Sequence, residues 1–123
     1  MRSVKSRDTT PEIIVRRALW SLGYRYRLHR SDVPGNPDIV FIGQRKAIFV
    51  HGCFWHGHDC KRGARAPKAN AEYWRSKIQR NRDRDVRHVE DLTDAGWRSL
   101  ILWECELKDS AALERRLRAF LIE

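Results

Sequence analysis

The chain has 123 residues, 41% of them apolar and 33% charged, with 25 Lys and Arg against 16 Asp and Glu, a formal charge of +9. That length suits one domain over residues 1–123 with a core that needs no disulfides, and so large a positive excess points to a polyanionic partner, nucleic acid before others. No run is apolar enough for a membrane span and no secretory h-region follows Met1, so a cytoplasmic location is expected, with Cys53, Cys60 and Cys105 as thiols or thiolates.

Residues 9–23, TTPEIIVRRALWSLG, carry the signals of a helix with a defined start. Thr9 and Glu12 have capping-box spacing, Thr10 before Pro11 offers an alternative cap, and Gly23 is placed to end the helix. Ile14, Ala18 and Leu22 share one face, and Val15, Leu19 and Leu22 the adjacent one. In YRYRLH (24–29), Tyr24, Tyr26 and Leu28 alternate with Arg25, Arg27 and His29, the period of a half-buried strand whose other face is basic. VPGNP (33–37) is a turn that delivers Asp38 to a short apolar strand, DIVFI, and GQR turns that strand into a second, KAIFVHG. A basic, breaker-rich loop begins at Lys61.

From about Ala71 to Ala95 the pattern is helical, with Trp74, Ile78, Val86, Val89 and Leu92 inward and Gly96 as the stop. Arg75, Lys77, Arg80, Arg82, Arg84 and Arg87 occupy its outer faces. WRSLILWE (97–104) reads as a buried strand, and SAALERRLRAFLIE (110–123) as a closing amphipathic helix capped by Ser110. The order α-β-β-β-α-β-α predicts an α/β fold, a mixed four-stranded sheet with helices on both faces.

One stretch concentrates chemistry: FVHGCFWHGHDC, residues 49–60. Cys53, His58 and Cys60 fall within eight residues just past a strand, and two thiolates with an imidazole suit zinc. A fourth ligand has to come from elsewhere, and the remaining cysteine is Cys105. If strands 46–51 and 97–103 are neighbours with their C-terminal ends together, Cys105 completes a Cys₃His shell, closed to water and therefore structural.

His51, His56 and Asp59 are left over. Asp38 opens one strand and His51 ends the next, so the two can meet at a sheet edge and hold a hard cation such as Mg²⁺. Glu12 is either an outer-sphere partner of that cation or a helix-capping glutamate. Mg²⁺ with a histidine general base is the chemistry that phosphodiester hydrolysis needs. Asp85, in NRDRDVRH, is placed either to orient a histidine or to pair with Asn81 or an arginine on the helix surface. Phe54 and Trp55 are adjacent, so in most geometries they cannot both point inward. One reading makes them a wedge entering DNA between base pairs, the other a cap on the core.

FVHGCFWHGHDC together with GNPDIVF, GWRSLILWEC and the opening RSVKSRDTTPE closely resembles the Vsr family, the very short patch mismatch repair endonucleases, over residues 2–107. The resemblance implies a restriction-endonuclease-like fold. It also implies roles: Asp38 and the Val50 backbone carbonyl as Mg²⁺ ligands, and Glu12, His51, His56 and Asp85 around the metal and the attacking water, with His56 as general base. Cys53, His58, Cys60 and Cys105 hold a structural Zn²⁺, and Phe54 and Trp55 are the wedge. The implied reaction nicks one strand on the 5′ side of the T in a T:G mismatch left by 5-methylcytosine deamination. Its partners are mismatched double-stranded DNA and mismatch-repair proteins, and a monomer on a bacterial nucleoid is the expected acting form. Where the wider superfamily carries an acidic-x-Lys signature, Phe49-Val50-His51 stands here, as in Vsr. Val50 replaces a frequent Thr, and Gly57 and Asp59 interrupt what is often a histidine run. Two other readings remain: a restriction-like endonuclease or nickase without mismatch specificity, and a zinc-bearing DNA-binding module that has no use for the acid–histidine set.

Overall fold

The computed structural model describes residues 9–30, 32–53, 56, 58, 60 and 69–122. Phe54, Trp55, Gly57 and Asp59, together with residues 2–8 and 61–68, lie outside the described residues.

Helix α1 (Thr10–Ser21) starts as its capping signals require, with the Thr9 hydroxyl accepting the Glu12 N–H at 3.4 Å and Pro11 in the first turn. The chain leaves it through Gly23, whose φ of +87° costs glycine little. Of its two candidate faces, the one with Val15 and Leu19 is buried, and Ile14 is 39% exposed. Glu12 lies three residues before Val15, on the buried face, and goes into the interior with it.

Strand β1 (Arg27–Leu28) is much shorter than the expected 24–29. Tyr24 and Tyr26 still pack on the core, but only Arg27 and Leu28 pair, with Val40 and Ile39 of β2 (Ile39–Phe41). The extended run stops at His29, which has a φ of +50°. A 3-10 turn over Ile42–Gln44 and left-handed Arg45 lead into β3 (Lys46–His51), antiparallel to β2. Helix α2 (Ala71–Asp94) then carries the chain back to β4 (Arg98–Trp103), which runs parallel to β3 in a register that opposes His51 and Trp103. A second 3-10 turn (Glu104–Lys108) precedes α3 (Ser110–Ile122). The cap of α3 is not Ser110, which is the first helical residue. Asp109 fills the role, its carboxylate accepting the Ala112 N–H at 3.1 Å, where a negative charge also suits the positive end of the helix.

The sheet order is β1-β2-β3-β4. On one face Ile39, Phe41, Ile48 and Leu102 join Val15 and Leu19 of α1 and Leu113, Leu117 and Leu121 of α3. On the other, Val40, Ala47 and Phe49 pack with Val33 and Leu92 of α2. The α/β order and the mixed sheet with helices on both faces are as the sequence predicts. One inward position is not: Val86 is 59% exposed, because α2 touches the sheet chiefly through its last turns.

The loop before Asp38 is held tightly. Gly35 has a φ of +82°, and a Cβ placed on it would lie 2.8 Å from the His88 Cβ of α2. Gly35→Ala is therefore expected to lower stability by about 1–3 kcal/mol. Gly43→Ala, at a position with nothing within 4 Å, should change it by less than about 0.5 kcal/mol. Urea denaturation of the two variants checks the contrast.

Candidate active site

The parallel pairing of β3 with β4 brings their C-terminal ends side by side, and the chemistry sits there. Among the described residues, three groups of side chains place their ligand atoms within 4.8 Å of one another: Cys53, His58, Cys60 and Cys105; His51, His56 and Asp85; and Glu12, His29 and Asp38.

In the first group, Cys53 lies just past β3, and Cys105 comes from the turn after β4. The Cys105 N–H donates to Cys53 Sγ at 3.4 Å, and Cys105 Sγ lies 3.5 Å from His58 Nδ1. Thiolate and imidazole donors about 2.3 and 2.05 Å from one zinc at the tetrahedral angle sit roughly 3.5 Å apart. The donor set therefore fits a tetrahedral soft-ligand ion. All three cysteines are free thiols here. Burial pushes the Cys53 thiol up to about 12 and raises Cys105 as well, so a cation that takes these sulfurs must displace their protons. The His58 ring stacks on Trp103 at 4.3 Å, which fixes its plane.

In the third group, Asp38 stands at the head of β2. Its Oδ2 accepts the Val50 N–H at 2.7 Å, across the strand pair, so one carboxylate oxygen is tied to β3. Burial pushes the Asp38 carboxyl up to about 6; the Val50 N–H pulls it back, and the charge of Glu12 adds to the rise. Glu12 is 2% exposed, with His29 Nε2 and Arg16 Nη1 each 3.1 Å from its Oε2. The Glu12 side chain turns to His29 and Arg16.

In the second group, Asp85 of α2 reaches His56, Oδ2 to Nδ1, at 2.6 Å. Asn81 accepts from Arg84 at 3.1 Å, while the Asp85 carboxylate faces His56 and His51. Burial pushes the Asp85 carboxyl up, but the His56 hydrogen bond and the charges of His51, His56 and Arg84 outweigh it and hold the group below its ordinary value. An ionised Asp85 accepts from His56 Nδ1, which puts an N–H on that nitrogen. The His51 ring stacks on His56 at 3.8 Å, nearly parallel. Burial, helped by His56, lowers His51 to about 4, so it is neutral near pH 7. Its Nδ1 makes no hydrogen bond among the described residues and lies 3.9 Å from Asp85.

Both acid groups open on one cleft of about 660 Å³, lined by Glu12, Asp38, His51, His56, Asp85 and His88 among others. A smaller, apolar recess of about 340 Å³ lies behind the two stacked histidines, formed by Val86, Val89, Ile101 and Trp103. Arg75, Arg80, Arg82, Arg84 and Arg87 are exposed along α2.

The family model for DNA mismatch endonuclease Vsr matches residues 1–62. The chain is also 54% identical over 121 residues to the Type II nicking enzyme V.XorIIP of Xanthomonas oryzae pv. oryzae, covering 98% of this chain and 88% of that protein. The chain belongs to the Vsr family. Its members include DNA mismatch endonuclease Vsr of Escherichia coli, 40% identical over 94% of this chain and 77% of that one. The Type II nicking enzyme V.NaeI of Lentzea aerocolonigenes is 44% identical over 91% and 70%. The protein is thus a DNA endonuclease, a hydrolase, and its sheet and helices are the restriction-endonuclease-like fold of the Vsr family.

The structure brings together Glu12, Asp38 and Val50, and beside them His51, His56 and Asp85, with Cys53, His58, Cys60 and Cys105 in a group of their own. Phe54 and Trp55 fall outside the described residues. Two histidines were missed. His29 reads from its alternation as part of a basic face, yet its positive φ turns it to Glu12. His88 sits one turn after Asp85 on the cleft wall, and the i,i+3 spacing was the available signal.

Asp38 and His51, the most strongly shifted groups of the cleft, make opposite contributions to stability. Asp38, raised on folding from about 3.8 to about 6, favours the folded state less as pH climbs through that range. His51, lowered from about 6.5 to about 4, favours it more over nearly the same range. Those two contributions largely cancel between these pH values without added divalent cation, so the wild type should rise only by what the lowered Asp85 and His88 add. Asp38→Asn, which leaves His51 unopposed, should gain about 3 kcal/mol on going from pH 4 to 6.5. Urea midpoints across that range decide, and parallel profiles for the two proteins would rule out a raised Asp38.

Proposed function

We propose that this Vsr-family endonuclease hydrolyses one strand of duplex DNA on the 5′ side of the T in a T:G mismatch of the kind left by 5-methylcytosine deamination. In this reading Mg²⁺ sits at Asp38 and the Val50 carbonyl, and Zn²⁺ at Cys53, His58, Cys60 and Cys105. The observation that carries it is the convergence of a tied carboxylate, Asp38, and a hydrogen-bonded His56–Asp85 pair on one cleft.

Asp38 is held by Val50 so that its charge faces the cleft, and its raised pKa means that a cation must keep it ionised in acid solution. Mg²⁺ held by Asp38 and the Val50 carbonyl would supply charge neutralisation for the phosphate and Lewis-acid activation of water. His56 Nε2 takes one proton from the attacking water as its oxygen bonds to phosphorus, and the bond to the sugar oxygen breaks on the opposite side, that oxygen taking a proton from solvent water to leave as the hydroxyl. The imidazolium so formed is stabilised by Asp85 on Nδ1. His51, nearly inaccessible and unprotonated near neutral pH, keeps a second positive charge from the stacked ring and leaves the base role to His56. Glu12 completes the acidic wall behind Asp38.

The zinc set would pin the chain after β3 to the chain after β4 and so hold His56 over the site, as a structural ion does. Phe54 and Trp55 lie between Cys53 and His56 in sequence, which suits a wedge inserted beside the mismatch. The exposed arginines of α2 supply phosphate contacts, which raise affinity without choosing sequence. Mismatch-repair proteins are further partners in this reading, and the nucleoid in the cytoplasm is where such an enzyme would act. Among the described residues, no helix is long and apolar enough to cross a membrane.

The names of the relatives allow a second reading, nicking without a mismatch requirement. A strand-cleavage assay with Mg²⁺ on matched T:G and C:G duplexes separates the two. Nicking of the T:G duplex alone, lost by at least about 10²-fold in Asp38→Ala, is expected. Cleavage of both duplexes would remove the mismatch requirement, and binding without cleavage would leave only a DNA-binding module. Cys105→Ser should lower bound zinc and the melting temperature together, as elemental analysis and thermal unfolding would show. A normal melting temperature without zinc would refute a structural ion.

A further inference from the structure

We propose that His29 is an imidazole ligand to the divalent ion at Asp38, so that Glu12, His29 and Asp38 form a mixed nitrogen–oxygen site that prefers Mn²⁺ to Mg²⁺. This rests on the reading of Asp38 as the metal-binding carboxylate.

The geometry is that of ligands sharing one ion. His29 Nε2 and Glu12 Oε2 are 3.1 Å apart. Two donors about 2.1 Å from an octahedral ion, at right angles, are separated by roughly 3 Å. The ligand atoms of all three side chains lie within 4.8 Å of one another. Arg16 holds the same oxygen of Glu12 at 3.1 Å, while His29 Nε2, although 3.1 Å from it, makes no hydrogen bond to it in that geometry. Two carboxylates and one guanidinium leave a net negative charge, which a dication reverses.

His29 is placed there by a backbone that an ordinary strand residue avoids. Extended, it would continue the alternation of Arg25 and Arg27, which are exposed. A φ of +50° turns it inward instead, and its N–H donates to the Asp38 carbonyl at 3.2 Å. Left-handed geometry at a non-glycine residue costs on the order of 1 kcal/mol and persists where surrounding contacts enforce it. The same contact ties the histidine to the residue whose carboxylate it joins. Mg²⁺ strongly prefers all-oxygen surroundings, whereas imidazole suits first-row transition ions. Mn²⁺ keeps octahedral coordination and is a poor match for the cysteine set, and Asp38→Ala separates binding here from binding at His51, His56 and Asp85.

The alternative is that His29 only hydrogen-bonds Glu12 and positions it. Two substitutions separate the roles. His29→Asn suits the left-handed backbone but removes the imidazole, and His29→Gln keeps a donor toward Glu12. Mn²⁺ binding to the zinc-loaded protein, followed by electron paramagnetic resonance with Mg²⁺ as competitor, gives the ratio of affinities. Far-UV circular dichroism and zinc content report folding. Both substitutions should lower the Mn²⁺-over-Mg²⁺ ratio about tenfold, with Mg²⁺ affinity changed less, and the ligand-nitrogen coupling of bound Mn²⁺ should be lost. An unchanged ratio and nitrogen signal in the variants, or full rescue by Gln, would overturn His29 as a ligand while Asp38→Ala still abolished Mn²⁺ binding. Mn²⁺ binding that survives Asp38→Ala would instead refute the Asp38 assignment on which the proposal stands.

Discussion

Strand β3 is hydrogen-bonded on both edges, antiparallel to β2 and parallel to β4, and that double pairing brings Asp38, Val50, His51, Cys53 and Cys105 together. Buried between two sheet neighbours, its backbone groups have no other partners, so both ladders must form. An antiparallel neighbour brings its start to the end of β3, which sets Asp38 against Val50. A parallel neighbour brings its own end there, which sets Trp103 beside His51 and Cys105 beside Cys53. Because side chains alternate along a strand, a slip of one residue in either ladder would turn His51 and Phe49 away from the cleft.

What the sheet edge gathers is costly to fold. Glu12, Asp38 and His51 are taken largely out of water, and the shifted acidity of Asp38 and His51 records that cost. Two apolar layers, one on each face of the sheet, offset it. Perturbed groups of this kind cluster where chemistry is done, and so does backbone strain: His29 and Asn36, both at positive φ, bracket the approach to Asp38. Gly35 is needed for a third reason, the close approach of the turn to His88.

Helix α2 has a divided role. Its last turns reach the sheet through Leu92, while its earlier turns keep Val86 and several arginines in solvent. That exposed length explains how a chain of +9 charge can present cations next to its acidic cleft without neutralising it. Asp85 projects from the same helix into the cleft, so the exposed arginines and the carboxylate bonded to His56 belong to one rigid element.

Much of this was legible in the residues. Alternating or continuous apolar runs gave β2, β3 and β4, capping chemistry gave the start of α1, and a thiol–imidazole cluster missing one ligand pointed to Cys105. These depend on local periodicity and on ligand chemistry, which the chain carries without its fold. Tertiary structure decided the rest. Glu12 could have been a cap; that it is buried follows from sharing a face with Val15, and only the packing of α1 chose that face. Asp85 could have served the helix surface, and its pairing with His56 exists only because α2 crosses over the end of β3. His29 was hidden altogether, since a reversal of φ at the end of a two-residue strand leaves no periodic trace. Sequence thus specified the reactive groups and the strands that carry them, while the directions of strand pairing, which are long-range and cooperative, determined which groups meet.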